Sequence, residues 1–518
     1  MALMIFFNAV SAYASYFLAI YLILISVYRI LLHPLRNYPG PFLAKISDFF
    51  AVYYSYRARL HLKTRQDHLK YGSVIRQGPN KLVFNSAKAL HDIYDSDRVQ
   101  KSEVYLATLL SSHPNVFNVT EKQAHRTKRR LIGNVLSERS MRAFEPTMLE
   151  QINIFIEQLR LSSRTSSPVN MTGRSKCLSL DVVGHLAFGY SLKLQTEETN
   201  RSMIGTIKGG SHRLNTYMQY PLLAKLHLEY IVNLLLMMKK GSYIQILQAM
   251  IKSRLGEDKH AKHDMFSIVI DSMKTSDGDI LSLSEIWSEA LFFFPAGGES
   301  VSTTICGLLF YLSRNPHAYK KLAKEIRSTF KTDSEIRGGP QLSGCQYLRA
   351  CIDEALRMSP PIPGALWRER SSTDDRAQPF VIDGHVIPEG TVFSVNTYAL
   401  HHNEEYFPDS FTFMPERWLP SCTSEGQRKA MHDAFTAFSI GARGCAGKSM
   451  AYLETSLVMA KILWHFDFEK APGKIGDVGG GTGSTREING RERKEEYQIE
   501  DLFTAGHDGP NLVFRPRH

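Results

Sequence analysis

The chain is predicted to be mainly α with a small β portion. Three segments carry apolar residues at helical spacing, and four short strand-like runs are bounded by turn residues. The first element is earlier still. No side chain from Met1 to Tyr28 is charged, and the stretch MALMIFFNAVSAYASYFLAIYLILISVY is apolar enough to be a transmembrane anchor over residues 1–28. At about 1.5 Å per residue such a helix exceeds the roughly 30 Å hydrocarbon core. Arg29, Arg36 and Lys45 follow at once, which predicts a body on the cytoplasmic side. A cleaved secretory signal fits less well, because the run is long and lacks a basic start.

Residues 29–41 read as a basic, proline-rich hinge, stiffened by Pro34, Pro39 and Pro41. Residues 42–518 form one domain, with no break in composition between Tyr38 and Glu469. Strands are expected at Val74–Gln77, Lys81–Phe84, Val392–Val395 and Leu512–Arg515. The longest helical segment opens with a capping box, Ser282-x-x-Glu285, and stops at Asn315-Pro316. It is apolar on most faces and so belongs in the middle of the protein. A second helix, CQYLRACIDEALRM, puts Tyr347, Leu348, Cys351, Ile352, Ala355 and Leu356 on one side. The third follows Cys445. Residues 472–496 are rich in glycine and charge and read as a flexible loop insertion.

A chain of 518 residues, 43% hydrophobic and 22% charged, has globular composition. The net charge of +11 suits an anionic membrane surface or an acidic protein partner. Its basic residues are scattered and form no binding motif, so nucleic acid is excluded as a partner. The six cysteines show no CxxC spacing and no small disulfide framework, which fits a reduced, cytosol-facing body.

The stretch FSIGARGCAG sets Cys445 among glycines, beside Arg443 and just ahead of a helix. A lone cysteine is more often a small core hydrophobe. A thiolate that binds a metal must instead stay deprotonated and accessible. A helix N-terminus favours that charge, glycines let backbone come close to the sulfur and a flat cofactor, and an arginine neutralises an anionic group.

The complete pattern F-x-x-G-x-R-x-C-x-G, as Phe438, Gly441, Arg443, Cys445 and Gly447, resembles the haem-binding loop of the cytochrome P450 superfamily. Glu354-Ala355-Leu356-Arg357 looks like that family's E-x-x-R, FMPERW at Phe413–Trp418 like its P-E-R segment, and AGGES at Ala296–Ser300 like its oxygen-binding stretch. The resemblance spans essentially the whole chain, and the anchor and hinge match the microsomal branch. It implies a cytochrome P450 fold with haem b bound through Cys445. The carboxylate of Glu354, with Arg357 and Arg417, is then a structural triad beneath the haem. His125 and Arg129, at i and i+4, are implied contacts of the haem propionates, and Arg370 another. Arg126, Lys128 and Arg130 would face outward toward an acidic electron donor, unless they are merely a solvated face.

Glu299 and Ser300 are the implied catalytic pair, relaying protons to dioxygen. The family usually has threonine where this chain has Ser300. Adjacent residues point about 100° apart on a regular helix, so the two serve one oxygen only if the helix opens locally. Pro295, which frees the carbonyl of Leu291, and Ala296-Gly297-Gly298 favour such opening and leave room beside the cofactor. The alternative is that Ser300 bonds a backbone carbonyl one turn earlier. Candidate pocket residues are Phe293, Phe294, Ala296, Ile362, Pro363, Ala365 and Leu366, with core packing as the alternative for the two phenylalanines.

The resemblance thus implies a haem-thiolate monooxygenase of the endoplasmic reticulum membrane, single-pass, acting on an apolar small molecule. No flavin or dinucleotide unit is visible, so electrons are expected from NADPH through a separate flavoprotein reductase. SERSMRAFEPTM looks like filamentous-fungal members that tailor secondary metabolites. Two rivals stand beside this reading: a family member that isomerises or dehydrates without dioxygen, and a non-catalytic haem-binding protein.

Overall fold

The computed structural model describes residues 2–226, 241–258, 262, 264, 266–267, 283–484 and 489–517. Helices dominate and the sheets are small, as predicted. The N-terminal helix Ala2–Val27 runs into a π turn, Tyr28–Leu32. The span Phe6–Leu32, with a mean hydropathy of 2.0, has none of its most apolar stretch buried in the body and is long and apolar enough to cross a membrane. The hinge is fastened to the first strand. Arg76 N donates to Pro39 O at 2.7 Å and Arg76 Nη1 to Arg29 O at 2.9 Å. Gly40, at φ +156°, permits this approach, since a Cβ there would overlap Arg76 O.

A five-stranded sheet runs in the order Val74–Gly78, Lys81–Phe84, Val392–Val395, Arg368–Arg370, Val99–Lys101. Its Lys81–Phe84 and Val392–Val395 strands pair in parallel and the other neighbours are antiparallel. A second sheet sets Asn511–Pro516 between Val169–Asn170 and Phe466–Lys470. All four expected strands are present. The pairs that bring Lys101 opposite Arg368 lie in strands of three residues, too short to leave a period-2 signal.

The central helix runs as Leu283–Phe294, a π turn Pro295–Glu299, and Ser300–Arg314. Glu285 is in its first turn, while Ser282 of the expected capping box lies outside the described residues. Every residue from Val301 to Leu312 is buried. Gln346–Met358 and Lys448–His465 pack beside it, joined in one core by Glu138–Ser163 and Met171–Phe188.

The described residues of the 472–496 loop bond to one another and to the body. Gly481 N donates to Arg493 O at 2.9 Å and Thr482 N to Arg491 O at 2.8 Å. Arg491 Nη2 reaches Ile499 O at 3.1 Å. A Cβ on Gly480 or Gly481 would overlap the opposing carbonyls. The glycines there allow close backbone approach; residues 485–488 lie outside the described residues.

Candidate active site

Cys445 lies between a short 3-10 turn, Gly441–Arg443, and the helix Lys448–His465. Its amide donates to Phe438 O at 2.8 Å, which closes the loop. Phe438 in turn packs on Tyr452 of the following helix, with ring centroids 5.0 Å apart. Burial pushes the Cys445 thiol up from its ordinary value, while the amides of Gly447 and Lys448 and the charge of Arg129 pull it down. Not all the glycines face the sulfur. Gly441, at φ +69°, would overlap Tyr94 O if it carried a Cβ, so it seats the loop on the helix Ala87–Tyr94. Gly447 is the open one, where a Cβ would meet only Cys445 Sγ, at 4.0 Å.

Beneath this loop, Glu354 and Arg357 share a helix face and pair in two parallel bonds, Nε to Oε2 and Nη2 to Oε1, each 2.9 Å. Arg417 Nε adds a bond to Oε1 at 3.0 Å and Trp418 Nε1 one to Oε2 at 3.0 Å. Arg357 also spans to His401 O at 2.9 Å and Ser410 O at 2.7 Å. Burial alone would raise the Glu354 carboxyl, but the two guanidiniums override it and hold it below its ordinary value. His401 connects this triad to the cysteine loop. Its Nε2 accepts from Thr436 N at 2.9 Å, and its Nδ1 therefore donates to Arg357 O at 3.1 Å. Burial, then the charge of Arg357, lower its pKa to about 3, in keeping with that neutral tautomer.

Above the loop, five basic side chains converge: Lys101, His125, Arg129, Arg368 and Arg443. The pKa of His125 is lowered to about 3 by burial and by Arg443, Lys101, Arg129 and Arg368 together. Burial first, then Arg368 and Arg443, lower Lys101 well below its ordinary value, and burial and Arg368 bring Arg443 to about 10. Their hydrogen bonds go to neutral groups: Lys101 to Phe117 O, Arg443 to Val119 O at 2.9 Å and Thr120 O at 3.0 Å, Arg368 to Trp367 O at 3.0 Å. Among the described residues no carboxylate forms an ion pair with Lys101, Arg129, Arg368 or Arg443. A cluster this positive is built to hold an anion.

The family model for cytochrome P450 matches residues 49–478. The chain belongs to the cytochrome P450 family. Among its relatives, cytochrome P450 monooxygenase poxM of Penicillium oxalicum is 33% identical, covering 96% of this chain and 93% of the relative. Cytochrome P450 monooxygenase apf7 of Gibberella fujikuroi is 34% identical, covering 96% of each chain. Cytochrome P450 monooxygenase AKT7 of Alternaria alternata is 32% identical, covering 94% of each. The protein is a cytochrome P450 monooxygenase, and the family implies haem iron. The residues present fit that group: Cys445 offers a sulfur ligand, and the five basic groups match two propionates.

Several expectations need correction against this P450 site. Arg370 is not in the cluster. It is held by Asp374, which Arg98 also grips at 2.8 Å, and its Nη2 bonds Gln378 O at 2.8 Å. Arg368 takes its place, buried and facing the other basic groups. Lys128 does not face outward: it is buried, with Nζ 3.1 Å from Glu289 Oε1. Arg126 and Arg130 are exposed as expected.

On the distal side, Phe294 is wholly buried in the main core and Phe293 packs against it. Phe292 instead packs in a separate aromatic cluster. Its ring stacks on Phe117 at 4.9 Å, and Phe117 meets Phe503 edge-on at 4.9 Å. Ile362, Ala365 and Leu366 pack against this aromatic cluster, whereas Pro363 is buried with its carbonyl accepting from Tyr398 N at 3.1 Å. The cluster adjoins the basic groups, because Lys101 Nζ lies over the Phe117 ring at 5.0 Å.

The central helix is opened at the π turn, as the relay requires, but the paired residues diverge. Ser300 Oγ donates to Ala296 O at 2.5 Å, one turn back. Glu299 Oε2 accepts from Lys176 Nζ at 2.5 Å. The two glycines face a neighbouring helix. A Cβ on Gly297 would lie 2.6 Å from Val183 Cγ2, and one on Gly298 would overlap Leu180, so both admit the helix Met171–Phe188. Ala296, Gly297 and Ser300 are the partly exposed members of the stretch.

Proposed function

We propose that this cytochrome P450 is anchored in the endoplasmic reticulum membrane with its body in the cytosol, and that it inserts one oxygen atom of dioxygen into an apolar small molecule. The step is a tailoring reaction of fungal secondary metabolism, and electrons reach it from NADPH through a separate flavoprotein reductase. The observation that carries this reading is the junction of an apolar aromatic cluster with a sulfur ligand and an uncompensated basic cluster. When bound, the haem supplies oxygen activation assisted by electron release from the thiolate. The chain supplies the rest. Cys445 is the ligand; the amides and Arg129 oppose the burial that raises its thiol, and the metal itself would hold the sulfur deprotonated. Lys101, His125, Arg129, Arg368 and Arg443 orient the propionates. Phe117, Phe292, Phe503, Ile362, Ala365 and Leu366 exclude water and hold an apolar guest. Glu299 and Ser300 pass protons through water, since their side chains do not meet directly. Exposed Arg126 and Arg130 suit an acidic electron donor.

The test is to compare metabolites of the source organism with and without the chain, then to treat the accumulating compound with membranes holding the chain and reductase. The expected product carries one added oxygen and forms only with NADPH. Product formed equally without NADPH would mean an isomerase or dehydratase instead.

Two predictions refine this reading. Arg368→Ala is expected to lower haem retention severalfold, because a buried propionate partner is lost. Arg370→Ala should change it little, since that side chain is paired with Asp374 away from the basic cluster. Haem content per protein after gel filtration compares them, and equal losses would refute the assignment of Arg368. Removing residues 1–28 is expected to move much of the protein from the membrane to the soluble fraction with its haem spectrum intact. Loss of haem on that deletion would make the segment part of the fold.

A further inference from the structure

One buried cation outside the groups used so far stands against the opened turn of the central helix. Lys176 and Glu299 form an ion pair at 2.5 Å, with side chains 5% and 3% exposed. Residues 176, 180 and 183 lie on one face of the helix Met171–Phe188 and meet Glu299, Gly298 and Gly297 in turn. The glycine pair thus lets the lysine's helix come close enough for its ammonium to reach the carboxylate. Glu299 Oε1 is buried and has no hydrogen-bond partner in the protein. The carboxylate is anchored by one oxygen and unclaimed at the other.

The same lysine faces a polar seam. His507 Nδ1 lies 2.9 Å from Tyr497 OH and 3.2 Å from Thr172 Oγ1, and its Nε2 lies 3.5 Å from Ser302 Oγ. His507 is kept neutral, by burial first and next by the charge of Lys176. Among the described residues no second cation therefore competes for Glu299 from that side, and the ion pair is the one strong side-chain contact that fixes its direction.

We propose that Lys176 is the positioning residue for proton delivery in oxygen activation: by anchoring Glu299 Oε2 it leaves Oε1 as the atom that takes up a proton and passes it on. This rests on the monooxygenase reading above. In the step, an O–H bond forms at Oε1 and breaks as the proton moves, through water, to reduced dioxygen. The electrons come from NADPH by way of the reductase, and no bond to Lys176 changes.

The test uses the full chain in vesicles with reductase, NADPH and dioxygen, and no added substrate. Electrons are partitioned between peroxide and water, and the share reaching water depends on proton supply. Lys176→Met is expected to lower that share roughly three- to tenfold. Loss of a general acid or base typically costs 10²–10⁴-fold, and water replaces part of it. Lys176→Arg should restore the share. If Lys176 acts through Glu299, the double variant Lys176→Met/Glu299→Gln matches Glu299→Gln alone. That double variant also removes both buried charges, so it serves if Lys176→Met loads haem poorly. A further fall in the double variant, or an unchanged share in haem-loaded Lys176→Met, overturns the proposal. A second readout needs no turnover. The infrared carboxylate bands found by subtracting Glu299→Gln from wild type should shift in the Lys176→Met background, and identical bands overturn the anchoring role. A wild-type protein that consumes no NADPH refutes the monooxygenase reading instead, while the infrared comparison still decides whether Lys176 holds Glu299.

Discussion

Cys445→Ser is expected to abolish the thiolate-type spectrum of the reduced carbon monoxide complex and to bring NADPH-dependent product down to the background of membranes lacking the chain. The loop is shaped for a sulfur anion. Burial disfavours the charged form, and what opposes burial is local: the amides of Gly447 and Lys448 and the charges of Arg129 and Lys448. These contributions oppose burial without overcoming it, so the thiol stays above its ordinary value and is deprotonated by the metal it binds. An alcohol starts many units higher and stays protonated in the same field. The hydroxyl also lacks the soft donor character that releases electron density to iron. The fold should survive, since the side chain is small and its neighbours Phe438 and Tyr452 keep their contact. A variant that retained the thiolate-type spectrum would remove Cys445 from the site.

How much of this was legible depended on whether a role is set by near neighbours in the chain. Cys445 and the pair Glu354 and Arg357 sit in local patterns, so the resemblance to the family's motifs exposed them. Arg368 was harder. The run Arg368-Glu369-Arg370 offers two arginines of the same parity, and the choice is made by Asp374, already held by Arg98 from far away in sequence. Lys128 turned inward for a similar reason, because its partner Glu289 comes from the central helix. Phe293 and Phe294 pack in the main core, the alternative the sequence left open, while Phe292 joins a separate aromatic cluster. A π turn inserts one residue and rotates the helix on its N-terminal side by about 100° relative to the helix on its C-terminal side. Phe292 therefore presents its ring where a regular helix would present another. Lys101 sits on a three-residue strand with too little sequence around it to carry a signal. Lys176 is one polar position in a buried helix, and only the approach of Gly297 and Gly298 gives it meaning.

Glu354→Gln is expected to cost more stability than any other single charge removal in the protein. Glu354 and Arg357 are fully buried and Arg417 is 5% exposed, so none is appreciably screened by solvent. The carboxylate accepts from Arg357, Arg417, Trp418 and Met414 N. Glutamine keeps the shape but cannot neutralise two guanidiniums, and its amide nitrogen would face donors. Removing one partner of a buried pair costs about 3–5 kcal/mol, and the whole fold is worth about 5–15 kcal/mol. The folded, haem-loaded yield should therefore collapse, and the loss should pass through His401 and Thr436 to the cysteine loop. Arg417→Lys keeps the charge and loses part of the geometry, so a smaller loss of about 1–2 kcal/mol is expected. The exposed pair Lys429 and Asp433 is the control, where Lys429→Ala should cost under about 1 kcal/mol. Acid should act in the same direction as the substitution. The folded carboxyl of Glu354 titrates below its unfolded value of about 4.3, so its contribution is complete above that value and is lost as pH falls through the lower, folded one. Thermal unfolding with haem release as the signal tests the series, and a Glu354→Gln protein as stable as the Lys429→Ala control would show that the triad does not hold the fold.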